Sequence, residues 1–286
     1  VGKLTELAEI GADSMLFRTP AVLRYGENTD GQSFYDIEFV PSWQLDFRIP
    51  ELYPKQINQI VERINDTIEI FSTRGNPSQR PVTKGTQYTS QEISYIRGKF
   101  REALDTFESS QTNCDRVRSL ISEFTDRVED LTIPSQCVLG TQTFCHGDMA
   151  LDNVLIGRDD QLFLIDPLVN GHESFMWDIS KVLQSTYTQW RQIKTNSFSI
   201  DETFNKIVVQ THTRMSLFNT RFIELVTAKY HPGAIMLYLA ATLARTAKYW
   251  QTCNQLCALL MLTNELLDRL IRGRYDLDEP LSSMRG

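Results

Sequence analysis

Apolar residues return every three or four positions in three stretches of the first half of the chain. Ile57, Ile60, Val61, Ile64, Ile68 and Phe71 share one face of a helix predicted from Lys55 to Phe71. Thr89 and Glu92 read as a capping box for a second helix reaching about Glu108, with Ile93, Ile96, Phe100 and Phe107 turned inward. A third, from about Asp115 to Leu131, carries Val117, Leu120, Ile121, Phe124, Val128 and Leu131 at the same spacing. Upstream, residues 3–16 read as a short helix bearing Glu6 and Glu9, closed by Arg18-Thr19-Pro20 because proline cannot continue a helix. Ala21–Tyr25 and Ser33–Val40 flank Asn28-Thr29-Asp30-Gly31, which predicts a hairpin with an Asp-Gly turn, and Pro41 ends its second strand. Ser72–Tyr88 has no period and reads as a long loop, a kind of segment that is usually mobile or functional.

In the second half, Asn153–Ile156 and Leu162–Ile165 are short apolar runs joined by Gly157-Arg158-Asp159-Asp160, again a hairpin. A helix opens at Trp177-Asp178-Ile179-Ser180-Lys181-Val182-Leu183. From Phe204 to Arg272 the pattern is almost entirely helical, broken at His231-Pro232-Gly233 and strongly apolar around Ala240 and Leu260. The layout is a small α/β start followed by a mostly helical body that encloses one hairpin.

Composition narrows this picture. With 286 residues, 41% of them hydrophobic, the chain can bury a substantial core. A net charge of -7 argues against nucleic acid as a partner, because phosphate backbones are bound through clustered Lys and Arg. Five cysteines show no CxxC spacing and only four histidines accompany them, which points to reduced thiols and a cytoplasmic setting rather than a zinc site. Cys253 and Cys257 lie one turn apart on an apolar helix and are expected in the core. No window approaches the roughly 18 uninterrupted apolar residues of a membrane span, and no signal peptide is evident. The first residue is Val1 rather than Met, which is compatible with fusion to an upstream domain.

The candidate chemistry sits in Phe144-Cys145-His146-Gly147-Asp148, followed by Asn153-Val154-Leu155 and then Leu164-Ile165-Asp166-Pro167. Phosphoryl transfer needs a carboxylate near the acceptor hydroxyl and metal ions across the phosphates. Asp148 is the candidate base. Asn153 offers a neutral oxygen and Asp166 a charged one, a pair suited to Mg²⁺. His146, just before the elbow, is expected to support the loop rather than to act as a base, and Asp152 to be a solvated loop residue.

These motifs, together with Trp177-Asp178-Ile179-Ser180-Lys181-Val182-Leu183, resemble the aminoglycoside phosphotransferase and choline kinase superfamily of small-molecule kinases. Within it, Ile-Asp-Pro and the following Asp-Ile-x-Lys-Val-Leu-x-Ser look most like the branch of bacterial surface-polysaccharide and phosphocholine-type pathways. The resemblance implies an α+β, protein-kinase-like bilobal fold, with a shortened amino-terminal lobe and hinge over residues 1–43 and a helical lobe over 44–286. By it, Asp148 matches the catalytic-loop aspartate, Asn153 and Asp166 the metal-binding pair, and Asp178 a helix aspartate that braces the loop. Glu38, Phe39 and Val40 match the hinge whose backbone holds adenine, and Glu6 or Glu9 the glutamate that partners a phosphate-gripping lysine. ATP or GTP, Mg²⁺ and a small hydroxyl acceptor are the ligands so implied.

The departure lies at the amino end. The superfamily's small lobe carries a phosphate-covering loop and a strand lysine before the glutamate helix, whereas this chain starts almost at that helix. Lys3 is expected as an exposed helix-terminal residue. The competing reading is therefore a catalytically silent kinase-like module that binds a ligand or partner. For the acceptor, Tyr187, Trp190, Tyr238, Tyr249 and Trp250 fall in the expected region, as core residues or as faces for a quaternary ammonium. The acidic surplus tilts the expectation toward a cationic acceptor.

Overall fold

The structure, a computed structural model, describes residues 2–27, 29–30, 33–74, 86–109, 114–139, 142–203, 205–250 and 252–285. It opens with helix α1 (Gly2–Ser14), strand β1 (Phe17–Arg18), the hairpin β2 (Val22–Glu27) and β3 (Ser33–Ile37), then β4 (Ser42–Gln44) and the single turn α2 (Leu45–Arg48). Three long helices follow: α3 (Pro54–Thr73), α4 (Thr86–Ser109) and α5 (Asp115–Asp130). The hairpin β5 (Val154–Gly157) and β6 (Leu162–Leu164) precedes α6 (Met176–Thr186) and α7 (Trp190–Lys194). The chain ends with β7 (Phe198–Asp201), β8 (Lys206–Val209), α8 (Thr213–Thr227), α9 (Pro232–Arg245), α10 (Cys253–Ile271) and β9 (Met284–Arg285). The fold is α+β, a small sheet portion beside a larger helical body.

The helical body is built around α9. Every residue from Gly233 to Ala244 is buried, as expected of a helix that is apolar on all sides and packs against α4, α6 and α10 at once. His231 caps it by accepting from the Gly233 amide at 3.1 Å, and Pro232 occupies the first turn, where its missing N–H costs nothing. Helix α6 is also buried along its whole length, although it carries Asp178, Lys181 and Gln184. Burying such groups is costly unless each finds a partner, so the polar residues of α6 point to a built site.

One sheet, in the order β1-β6-β5-β4, links the amino-terminal segment to the central hairpin. Strand β4 runs antiparallel to β5 through Trp43↔Ile156, β5 antiparallel to β6 through Leu155↔Phe163, and β1 parallel to β6 through Phe17↔Leu162. Phe17 seals this junction by packing edge-on to Phe71, which in turn packs on Phe144 at the start of the candidate loop. The elements around the loop are thereby joined through one aromatic row.

Several expectations need correction. Helix α4 begins at Thr86, so positions 89 and 92 lie within it rather than at its start, and the predicted loop is shorter at both ends. Glu92 is buried and accepts hydrogen bonds from the Leu139 amide at 3.1 Å and the Tyr238 hydroxyl at 2.7 Å, an internal clamp in place of a cap. Loop residues 75–85 and turn residues 28 and 31 lie outside the described residues. The stretch predicted as helix from Phe204 begins instead with β8, which pairs with β7 and β9, and its three β-branched residues after Lys206 were too short a run to announce it. Cys257 is buried as expected, whereas Cys253, at the first turn of α10, is exposed.

Candidate active site

The loop from Phe144 to Asn153 takes its shape from buried polar anchors. Asp178, fully buried near the start of α6, accepts from the His146 amide through Oδ2 and the Gly147 amide through Oδ1, both at 2.7 Å. Burial pushes its carboxyl up to about 7, against the pull of those two amides. Gly147 has φ +85°, and a Cβ there would lie 2.2 Å from the Leu168 carbonyl, so the elbow admits only glycine. His146 is buried, its Nδ1 accepts from the Asp148 amide at 3.3 Å, and burial lowers its pKa to about 4. A neutral imidazole engaged with its own loop is placed to hold shape, not to collect protons from a substrate.

Asp148 projects from this elbow between two partners. Its Oδ1 forms an ion pair with Lys181 Nζ at 2.9 Å, and its Oδ2 accepts from Asn153 Nδ2 at 3.0 Å. Burial alone would raise its pKa, but the Lys181 ammonium, with smaller help from Arg245 and His146, more than offsets that and holds the carboxyl below its ordinary value. Asp148 is therefore ionised at neutral pH. The same burial lowers the pKa of Lys181, with the Asp148 carboxylate opposing it.

Asn153 donates a second bond from Nδ2, to the Asp148 carbonyl at 2.9 Å, which turns its Oδ1 the other way. The β5–β6 register places Val154 opposite Leu164, and the Ile165 amide donates to the Asn153 carbonyl at 3.1 Å. Asp166 follows one residue later with φ +54°, an uncommon conformation outside glycine that turns the chain sharply at the strand end. Asn153 and Asp166 are thus brought to the same end of the hairpin. Among the described residues no group of three or more His, Cys, Asp or Glu side chains could hold a metal ion. The donor set fits Mg²⁺ arriving with phosphate oxygens, since two protein oxygens are few for the ion alone.

Beside Asp148 opens a cavity of about 620 Å³. Asp148, Asp152, Asn153, Lys181, Gln184, Lys194 and Arg245 contribute to its polar wall, and Trp190, Tyr249 and Trp250 to its aromatic one. Asp152 is not merely solvated: it pairs with Lys194 at 3.1 Å. Of the five aromatic residues expected here, Trp190 and Trp250 meet edge-on at 5.1 Å and line the cavity with Tyr249. Tyr187 and Tyr238 do not; each is buried, with its hydroxyl given to the Glu279 carbonyl and to Glu92 respectively. Lys181, Gln184, Lys194 and Arg245 were not singled out as site residues from the sequence. The one available signal was Asp178 with Lys181 a turn later on a single helix.

At the amino end, Lys3 is not exposed. Its Nζ lies 2.7 Å from Glu173 Oε2 and donates to the Leu168 carbonyl at 2.7 Å, two residues past Asp166. Cys145 donates to the same Glu173 carboxylate at 2.9 Å, so Glu173 gathers α1, the candidate loop and the segment after β6. Glu6 is half-buried with its pKa raised by burial, and Glu9 is exposed. In the connector between β3 and β4, the Glu38 amide donates to the Ala21 carbonyl at 2.8 Å, Phe39 is 85% exposed and the Val40 carbonyl accepts from Ser42 Oγ at 3.0 Å.

Among solved structures, the chain is similar to a choline/ethanolamine kinase family protein from Mesorhizobium loti, at 10% identity and a TM-score of 0.42, over 96% of this chain and 77% of that one. It is also similar to an aminoglycoside phosphotransferase from Alicyclobacillus acidocaldarius, at 12% identity and a TM-score of 0.46, over 96% and 81% of the two chains. No protein-family model and no curated protein matches the sequence. Likeness at this level says nothing of chemistry in this chain; the geometry around Asp148 does.

Proposed function

We propose that the chain is a small-molecule kinase that transfers the γ-phosphoryl group of ATP or GTP to a hydroxyl of a small metabolite. The observation that carries this reading is an ionised Asp148 held between Lys181 and Asn153 at the wall of a 620 Å³ cavity, beside the hairpin end that bears Asp166. The cavity is large enough for a metabolite and opens onto the carboxylate. In the reaction the acceptor oxygen bonds to the γ-phosphorus as the bond from that phosphorus to the β–γ bridging oxygen breaks. The nucleoside diphosphate leaves, and the hydroxyl proton passes to Asp148.

Asp148 orients the hydroxyl and takes its proton late, since a carboxylate held below its ordinary pKa is a weak base in the ground state. Asn153 Oδ1 and the Asp166 carboxylate would hold Mg²⁺ together with the phosphates, and the ion supplies charge neutralisation there. Asp178 and His146 fix the loop, so that Asp148 does not have to be ordered during the reaction. The connector Glu38-Phe39-Val40 is assigned to the nucleobase, and Glu6 or Glu9 to the cationic end of the phosphate grip.

The test is phosphate transfer from labelled ATP and GTP to choline, ethanolamine, amino acids, glycerol and sugars, followed by the same assay on Asp148→Ala. Nucleotide binding in that variant is expected to stay near normal while turnover falls about 10²-fold or more. Turnover equal to wild type would remove Asp148 from the mechanism.

A further inference from the structure

The cavity beside Asp148 has a charge character opposite to that of the whole chain. Three cations, Lys181, Lys194 and Arg245, reach it, against two carboxylates, Asp148 and Asp152. Each carboxylate is already paired with a lysine, at 2.9 Å and 3.1 Å. Arg245 makes no contact ion pair among the described residues, although its charge helps to hold the Asp148 carboxyl below its ordinary pKa; one nitrogen donates to the neutral Asn170 Oδ1 at 3.2 Å, and its guanidinium lies 5.9 Å from the Trp177 ring centre.

A second observation is independent of charge. Gln184 is 1% exposed and lines the cavity, yet among the described residues both its Nε2 and its Oε1 lack a hydrogen-bond partner, and so does Nε1 of Trp250, which lines the same cavity. A buried amide with both ends unmet is rare, because each missing bond costs its full desolvation. Among the described residues the lining thus offers two orphaned donors and a guanidinium, and its orphaned acceptors are Gln184 Oε1 and Asp148 Oδ1, the latter already facing Lys181 at 2.9 Å.

We propose that the acceptor carries, beside its reactive hydroxyl, an anionic group, a carboxylate or a phosphate, which Arg245 and the donors Gln184 Nε2 and Trp250 Nε1 receive. Gln184 Oε1 takes a further hydroxyl of the same molecule. This rests on the kinase reading for the fate of the hydroxyl, and it replaces the expectation of a cationic acceptor. The net charge of -7 belongs to the chain as a whole, whereas recognition is set by the groups that touch the ligand. Guanidinium and charge-assisted hydrogen bonds to an anion are among the strongest available in such a site.

The experiment is calorimetric titration, without nucleotide, of wild type with glycerate, glycerol 3-phosphate, glycerol and ethanolamine. At least one of the two anions is expected to bind about tenfold or more tightly than glycerol. Whichever anion binds tighter names the group. Arg245→Gln is expected to lose that preference. Gln184→Leu is expected to bind the anion more weakly while melting no lower than wild type, since it removes two unmet buried polar atoms. Ethanolamine or glycerol binding as tightly as both anions, no binding of either anion, or undiminished anion binding in both variants overturns the proposal. A parallel titration with Mg²⁺ and ATP separates the two readings: its failure in wild type sinks the kinase and leaves the anion site, whereas its success with the anions failing does the reverse.

Discussion

The pair Asp148–Lys181 lends itself to a double-mutant cycle that needs no substrate. The two charges lie 2.9 Å apart, with the lysine side chain 9% and the aspartate side chain 30% exposed. At 4 Å and an effective dielectric near 20 the attraction of two unit charges is about 4 kcal/mol, and removing one partner of a buried pair costs about 3–5 kcal/mol. The two single changes are not equivalent. Asp148→Asn strands an ammonium that burial already disfavours, so the upper end of that range is expected, about 4 kcal/mol. Lys181→Met leaves Asp148 with its Asn153 bond and some contact with water, and about 2 kcal/mol is expected. The double variant buries no lone charge and should lose about 3 kcal/mol, which leaves a coupling of about 3 kcal/mol between the residues. Urea unfolding at pH 7 followed by circular dichroism measures all four proteins. Losses that add to within about 0.5 kcal/mol would refute the claim that Lys181 sets the state of Asp148. The pair also has a pH signature. Because the folded pKa of Asp148 lies below its ordinary value, the pair's contribution is present above about pH 4 and is lost as pH falls through the folded value. In Lys181→Met that loss begins at a higher pH.

Asp178 should show the opposite sign: its folded pKa of about 7 lies above the ordinary 3.8, so its contribution to stability declines as pH rises from about 4 to 7. Relative to wild type, Asp178→Asn is expected to gain about 2 kcal/mol between pH 5 and 7 in urea unfolding, and parallel profiles would contradict this. Gly147→Ala, which must fit a Cβ 2.2 Å from a carbonyl oxygen at φ +85°, is expected to cost about 3 kcal/mol or more and to lower the melting temperature accordingly. Tyr238→Phe removes the hydroxyl that Glu92 accepts at 2.7 Å and should cost about 1–2 kcal/mol by the same measurement, with no loss if that contact is idle.

The long helices, the β5–β6 hairpin and the nearness of Asp148, Asn153 and Asp166 to its open end could be read from the sequence because those signals are local. A loop of fixed spacing and a hairpin register need only neighbouring residues to declare them. Lys181, Gln184 and Arg245 could not be read the same way, since they become one wall only when α6 and the end of α9 come together beside the loop. Lys3 looked like a helix end because its partners, Glu173 and the Leu168 carbonyl, lie more than 160 residues away. Glu92 imitated a cap at the right distance from Thr89, and burial against Tyr238 overrode that local pattern. Net charge averages over the whole surface, whereas the anion site proposed above depends only on the few groups that line the cavity.

The claim on which the functional reading depends most is that Asn153 and Asp166 hold a metal ion together with nucleotide phosphates. Titration calorimetry of ATP, with and without Mg²⁺, on wild type and Asp166→Ala addresses it directly. The expected result is binding that Mg²⁺ strengthens about tenfold or more in wild type and leaves unchanged in the variant. Absence of ATP binding in wild type, or the same Mg²⁺ dependence in both proteins, would contradict it.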